Sequence, residues 1–247
     1  QLGLFFNWIQ MNKIVRLGTR ESALAIWQAR AVEKELNQHN IITKIVKIKS
    51  DGDLNVNKPL YEFGVSGIFT KSLDTALLNN KIDIAVHSLK DVPSKPAKGI
   101  EIKSVLKRED PYDVLVIKNK NVDFKSNLRI ATSSVRRKCQ WLYKFPNHII
   151  KPIRGNIDTR LKKLFNEDFD GAVFALAGLK RLGFSKDINI KILEWMVPCA
   201  SQGTIGIAGL KKNKTLDKVL KNISCDMTKR LVNEERQFIS LMKGGCS

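Results

Sequence analysis

Five short stretches of this sequence close an apolar run and open an amphipathic one, and each carries cationic side chains. They read "GTRES" (Arg20, Ser22), "VHSLKDVP" (Ser88, Lys90, Asp91), "ATSSVRRK" (Ser133, Ser134, Arg136, Arg137), "IRGNIDTR" (Arg154, Asn156, Arg160) and "AGLKRLG" (Lys180, Arg181). In open α/β sheets, ligands bind beyond the carboxyl ends of the strands. A helix that starts there points unpaired N–H groups and a positive dipole end at the site. A guanidinium adds a two-pronged grip on carboxylate or phosphate and does not lose its charge. Several such forks facing one cleft call for a ligand with several anionic groups. Taken singly, each arginine is equally well explained by a surface ion pair; taken together, the junctions favour a polyanion. Neither GxGxxG nor GxxxxGK[ST] occurs, so the usual nucleotide loops are not supported.

Asp91 is a carboxylate among these cations, two residues before Pro93. Two accounts stand. It neutralises Lys90 and nearby arginines or caps a turn, or it assists proton transfer and stabilises a cation formed during reaction. His87 lies next to Ser88, and strand neighbours point to opposite faces, so His87 is expected to be structural rather than half of a Ser-His pair. The sequence closes on "MKGGCS", which sets Cys246 behind two glycines, an unusual place for a packed core thiol.

Composition narrows the classes. Of 247 residues, 43% are hydrophobic and 27% charged, the balance of a globular protein with a real core. No apolar run approaches the roughly 18 residues of a membrane-spanning helix, and no membrane partner is expected. The opening "QLGLFFNWIQ" has neither a basic start nor a small-residue cleavage site, and is read as an extension ahead of Met11. Cys139, Cys199, Cys225 and Cys246 form no CxxC pair and no cluster with His39, His87 or His148. Free thiols in a reducing, cytoplasmic setting and no metal site are expected. The net charge of +19 attracts anions, yet aromatics are only 7% and no nucleic-acid-binding motif is visible. Nucleic acid is therefore not the expected partner, and lysines such as those in "KNKNVDFKSN" read as a solvated face.

The elements that must position these residues alternate strand and helix, which predicts an α/β fold. "KIVRLGTR" reads as a strand running into "ESALAIWQARAVEKELNQ", a helix with Leu24, Trp27 and Ala31 on one face. "TKIVKIKS" and "KIDIAVHS" are strands around "GIFTKSLDTALLNN", a helix with Phe69, Leu73 and Ala76 at helical spacing. After "REDPYDVLVI" the alternation restarts. "LRIATS", "HIIKPIR" and the front of "FDGAVFALAGLKRLG" are strands, with helices in "SVRRKCQWLYKF", "GNIDTRLKKLFN" and the rest of the last segment. "EWMVPCASQGTIGIAGL" is read as leading back into helical sequence, and "MTKRLVNEERQFISLMKGG" as a helix ending in glycine. Two α/β blocks, 11–108 and 109–200, and a return segment predict two lobes around a cleft, like a hinged ligand-binding protein.

In this order, "LGTRESALAIWQA", "IDIAVHSLKDVP", "ATSSVRRKCQ", "IRGNIDTRLKKL", "ALAGLKRLG" and "ERQFISLMKGGC" resemble the porphobilinogen deaminase (hydroxymethylbilane synthase) family over residues 11–246. The resemblance implies a monomeric transferase of tetrapyrrole (haem) biosynthesis. It would join four porphobilinogen molecules head to tail, release ammonia at each addition, and free a linear hydroxymethylbilane. It implies a dipyrromethane cofactor on Cys246 through a thioether, the glycines giving the thiol an unobstructed approach. Asp91 would be catalytic, assisting loss of the amino group and stabilising the resulting cation. Lys90, Ser134, Arg136, Arg137 and Arg160 would hold the cofactor carboxylates, with Phe69 near its rings. Arg20, Ser22, Arg154 and Arg181 would hold the substrate and its growing oligomers.

The implied layout is two lobes like those of periplasmic binding proteins, plus the start of a small α+β third domain. Residues 11–108 and 204–224 form domain 1 and 109–203 domain 2. Residues 225–247 are the first helix and cofactor loop of domain 3, and 1–10 an extension. The family continues past its cysteine, so a truncated form is expected, with Phe238 and Leu241 exposed or repacked. "GVSG" with Ser66, "SQG" at Ser201–Gly203, and Ala208 depart from the family's usual "GGKG", "GQG" and a following acidic residue. They are expected to tune function. The alternatives are a non-catalytic two-lobed anion-binding protein and an inactive truncated enzyme.

Overall fold

The structure is a computed structural model that describes residues 14–49, 70–186 and 188–242. Ser66, Phe69 and Cys246 lie outside the described residues. The chain builds β1 (Val15–Arg20), α1 (Ala23–Asn37), β2 (Thr43–Ile48), α2 (Lys71–Leu78), β3 (Ile84–Ser88) and β4 (Ile100–Val105). It then crosses to β5 (Asp113–Ile117), β6 (Arg129–Ala131), α3 (Val135–Lys144), β7 (Ile149–Lys151), α4 (Ile157–Asn166), β8 (Gly171–Ala175), α5 (Leu176–Arg181) and β9 (Ile190–Ile192). It returns through β10 (Ile205–Leu210) to α6 (Asp217–Asn222) and α7 (Asp226–Leu241).

Two five-stranded sheets result, ordered β2-β1-β3-β10-β4 and β7-β6-β8-β5-β9. The orders are the same pattern. In each sheet the first-entered parallel strand lies between its two parallel neighbours, and the fourth position is filled antiparallel by the strand that has just crossed between lobes. Alternation along the strands feeds a core on each face of the first sheet. Ile84 and Val86 pack toward α1 with Val32 and Leu36, while Ala85 packs toward α2 with Leu73 and Leu77. In the second lobe, Val114 and Val116 meet α4 through Leu161 and Leu164, and Leu115 meets Trp141 of α3.

Two sequence expectations are corrected. "TIGIAGL" is not helical but the fully buried β10, flanked on both sides by strands. A strand buried on both faces loses the polar alternation that would have marked it, and its glycines mask the rest. The α1 face of Leu24, Trp27 and Ala31 is not the helix's buried stripe, which runs through Gln28, Ala29, Val32 and Leu36. Leu24 instead packs on the core of the second lobe, and Trp27 lies over Arg181.

The lobes are joined by two crossings, 106–112 and 193–204. They are bonded to each other, with Glu109 N donating to the Gly203 carbonyl at 3.1 Å. Gly203 has φ +86°, and a Cβ there would sit 2.5 Å from the Glu109 carbonyl oxygen, so the approach requires glycine. Helix α7 lies against this junction. Val232 packs with Leu89, Val92 and Val105, and Glu235 accepts from Arg108 Nη1 and from Ser201 N at 2.5 and 2.6 Å. Phe238 and Leu241 on its outer face are exposed.

Candidate active site

On the first lobe, β3 ends in a 3-10 turn, Leu89–Asp91. The turn is held by the buried Leu89 side chain, by Leu89 N donating to Thr204 O at 2.9 Å, and by Val92 N donating to Leu89 O at 3.1 Å. Lys90 and Asp91 are thereby presented at the strand end. From α7, Arg236 donates to the carbonyls of Leu89, Val92, Pro93 and Ser94, which fixes the chain just beyond. Ser22 caps α1, its Oγ accepting from Ala25 N at 3.3 Å, and Gln28 of α1 exchanges hydrogen bonds with Ser88. His87 is buried, and burial together with the Arg20 charge pushes its imidazole down to about 4, so it is neutral near pH 7.

The second lobe presents helix N-termini. Ser134 caps α3 by accepting from Arg137 N at 3.5 Å, and Asn156 caps α4 by accepting from Thr159 N at 2.9 Å. Arg136 and Arg137 both turn to Asp113, a carboxylate with no exposed surface. Burial alone would raise Asp113, but the two guanidiniums and Gln202 outweigh it and hold the carboxyl below its usual range. Arg160 lies over the Phe174 ring with its Cζ 5.2 Å from the centroid. Burial, then the neighbouring Arg137, bring its guanidinium down to about 10, although Asp91 opposes the change. Arg154 is lowered by burial.

The electrostatics place these groups within range of one another. The Asp91 carboxylate acts on Lys90, on Cys199 and, across the lobes, on Arg160. Lys90 is lowered by burial and by Arg137. The structure therefore brings together Lys90, Asp91, Arg136, Arg137, Arg154 and Arg160. It does not bring Arg181 to this group. That side chain is buried at the crossings, donating to Gly203 O at 2.7 Å, facing Glu109 and lying over Trp27. Arg20 is placed beside His87. Three of the N–H groups of Arg137 are spent inside the protein, on Asp113 and the Val173 carbonyl, and Arg136 Nη1 donates to Val197 O at 2.6 Å.

Three residues of the site were missed in the sequence: Asp113, Gln202 and Cys199. Gln202 bridges Lys90, Asp113 and the Pro111 carbonyl. The one available signal was a carboxylate at the head of "DVLVI", where a buried strand must begin. Cys199 has its thiol raised by burial, against the pull of Lys90 and Arg136.

The donor set suits a polycarboxylate such as a dipyrromethane. Lys90, Arg136 and Arg160 each lie within range of Arg137, and Arg154 within range of Arg160, against the carboxylates of Asp91 and Asp113; burial depresses Lys90 and Arg160, so a further anion is called for. Among the described residues no His/Cys/Asp/Glu group could hold a metal ion, and no helix is long and apolar enough to cross a membrane.

The sequence model described as "Porphobilinogen deaminase, dipyromethane cofactor binding domain" matches residues 15–218. The chain belongs to the porphobilinogen deaminase family. It is 41% identical to the probable porphobilinogen deaminase of Picrophilus torridus over 233 residues, 94% of this chain and 82% of that protein. It is 39% identical to the porphobilinogen deaminase of Bacillus subtilis over 242 residues, 96% of this chain and 77% of that protein. In fold it is similar to the VFT2 domain of Bordetella pertussis BvgS, with TM-score 0.55, 13% identity, and coverage of 94% and 97% of the two chains. It is likewise similar to an amino acid ABC transporter substrate-binding protein from Streptococcus pneumoniae, with TM-score 0.50 and 13% identity over 94% and 97%. These are two-lobed folds, as the sheet orders show for this chain. Porphobilinogen deaminases are transferases of porphyrin and haem biosynthesis. They condense porphobilinogen to hydroxymethylbilane with ammonia release and carry a dipyrromethane cofactor.

Proposed function

We propose that the cleft between the lobes performs this condensation, with the carboxylate of Asp91 working against the cationic wall of the second lobe. The observation that carries the reading is the electrostatic reach of Asp91 across the lobes to Arg160, among Lys90, Arg136 and Arg137. Residues 11–108 with 204–224 act as the acid-bearing domain and 109–203 as the anion-holding domain. Residues 225–247 bear Cys246, the attachment point.

When bound, the dipyrromethane supplies the nucleophilic pyrrole carbon to which monomers are joined. The chain's own residues bind and polarise. Lys90, Arg136 and Arg160 hold carboxylates on the tethered side, with Arg137 and the Ser134 cap behind them. Arg20, Ser22 and Arg154 serve the incoming porphobilinogen and its oligomers, and Arg181 supports them from the crossings. Asp91 assists departure of the amino group and accepts the pyrrole N–H of the cation left on the substrate. Partial burial strengthens each of these charges relative to water. The enzyme acts as a monomer in the cytoplasm, and its positive charge serves carboxylates rather than nucleic acid.

The test is the intact mass of the denatured protein, with Ehrlich's reagent for pyrroles. The reading expects an increment of two linked pyrrole units, lost in Cys246→Ser, and ammonia released as porphobilinogen is consumed. An unmodified protein that consumes no porphobilinogen would leave a two-lobed anion binder instead.

A further inference from the structure

Asp113 opens β5 directly behind the cationic wall, with 0% of its surface exposed. Its Oδ1 accepts from Arg137 Nε at 3.0 Å, from Arg137 Nη2 at 2.7 Å and from Gln202 Nε2 at 3.0 Å. Its Oδ2 lies 2.7 Å from Arg136 Nη2. Gln202 passes the link onward: Nε2 also donates to Pro111 O at 2.7 Å, and Oε1 accepts from Lys90 Nζ at 3.2 Å. Asp113 and the two arginines belong to the second lobe, Gln202 to the returning crossing, and Lys90 to the first lobe, one residue from Asp91. A single carboxylate thus connects the second lobe to the first through one bridging side chain, Gln202.

Stability alone is a weak reason for such a node. Buried ion pairs replaced by apolar side chains of similar volume are often no less stable, although removing one partner alone leaves an uncompensated buried charge and is destabilising. Arg136 and Arg137 sit near the N-terminus of α3, where the amide dipoles are themselves positive, so without a counter-charge they would repel each other and the helix end. Asp113 removes that repulsion and aims both forks.

We infer that Asp113 is a positioning residue for the reaction of this cleft. It fixes the Arg136–Arg137 pair and, through Gln202, orders Lys90 in the turn that carries Asp91. The inference rests on the proposed function of the cleft. The network holds Lys90 and Arg136, given above to the tethered side, so it governs turnover more than substrate affinity.

The experiment compares Asp113→Asn, Gln202→Ala and Val114→Ala in the full chain. Val114 is a buried neighbour on β5 that makes no part of the network, and its truncation reports simple loss of packing. Two readouts are taken: kcat and KM for porphobilinogen per folded molecule, and the rate of Lys90 acetylation mapped by peptide mass spectrometry, with exposed Lys95 and Lys211 as references. Asp113→Asn and Gln202→Ala are expected to lower kcat at least tenfold with KM within threefold, and to speed Lys90 acetylation at least fivefold. Val114→Ala is expected to lower the melting temperature and leave both readouts in place. If Asp113→Asn does not fold, Gln202→Ala carries the same expectation with both Asp113–arginine pairs intact. Wild-type acetylation of Lys90 in an active chain, or a kcat loss matched by Val114→Ala, overturns this inference alone. A wild-type chain that releases no ammonia overturns the proposed function itself.

Discussion

The two lobes share one strand order and differ in what stands at the strand ends. The first lobe places a carboxylate and an amine on a short turn after β3, with the neutral Gln28–Ser88 pair at the strand end and Arg236 bonded to the turn's carbonyls. The second places guanidiniums on the opening turns of α3 and α4 and buries their partner carboxylate, Asp113, out of reach of solvent. The same topology can therefore present either an acidic or a guanidinium-rich strand end, depending only on the few residues beyond the sheet. Chemistry that needs both must happen between the lobes.

The largest expected effect comes from removing the acid and keeping the grip. Asp91→Asn should lower porphobilinogen turnover about a thousandfold, roughly 4 kcal/mol in the barrier, while circular dichroism and melting temperature stay near wild type. Loss of folding in this variant would make Asp91 a structural member of its lobe.

The first lobe also carries a buried neutral histidine. His87 has an ordinary value of 6.5 and stands at about 4 in the fold. Between those values the unfolded chain binds a proton that the folded chain refuses, so stability falls as pH drops from about 6.5 to about 4 and is unaffected above. The loss reaches about 3 kcal/mol. His87→Gln should flatten this part of the profile in urea melts at pH 7 and pH 4.5; an unchanged slope would place the acid sensitivity elsewhere.

Smaller effects sharpen the role of the junction. Gly203→Ala puts a Cβ against the Glu109 carbonyl in a left-handed backbone and should cost about 2 kcal/mol in equilibrium unfolding. Ser22→Ala removes the α1 cap and should cost about 1 kcal/mol, with a rise in KM for porphobilinogen if Ser22 also meets substrate. An unaltered KM would confine Ser22 to capping.

Strand-to-helix junctions were legible in the sequence because caps, apolar periods and cationic side chains coincide there. Ser22, Ser134 and Asn156 each stand where helix starts were expected and accept the capping bond. What was hidden depends on contacts distant in sequence. The buried β10 has no polar alternation, and its place between β3 and β4 is set by strands 100 or more residues away. Asp113 gains its role only from two arginines of α3, more than twenty residues away in sequence, that close on it. Arg181 matched a junction motif, yet the crossings claim it, because its helix abuts Trp27 of the opposite lobe. A motif fixes which side chains are present; only the packing decides which of them face the ligand.

The central claim is that carboxylate and guanidinium from opposite lobes act on one bound molecule, and a double-mutant cycle tests it most directly. kcat/KM for porphobilinogen is measured for wild type, Asp91→Asn, Arg160→Gln and the double variant. The account predicts a coupling of at least tenfold, about 1.4 kcal/mol, between the two positions. Strictly additive losses would mean that the two lobes act at separate sites and would contradict it.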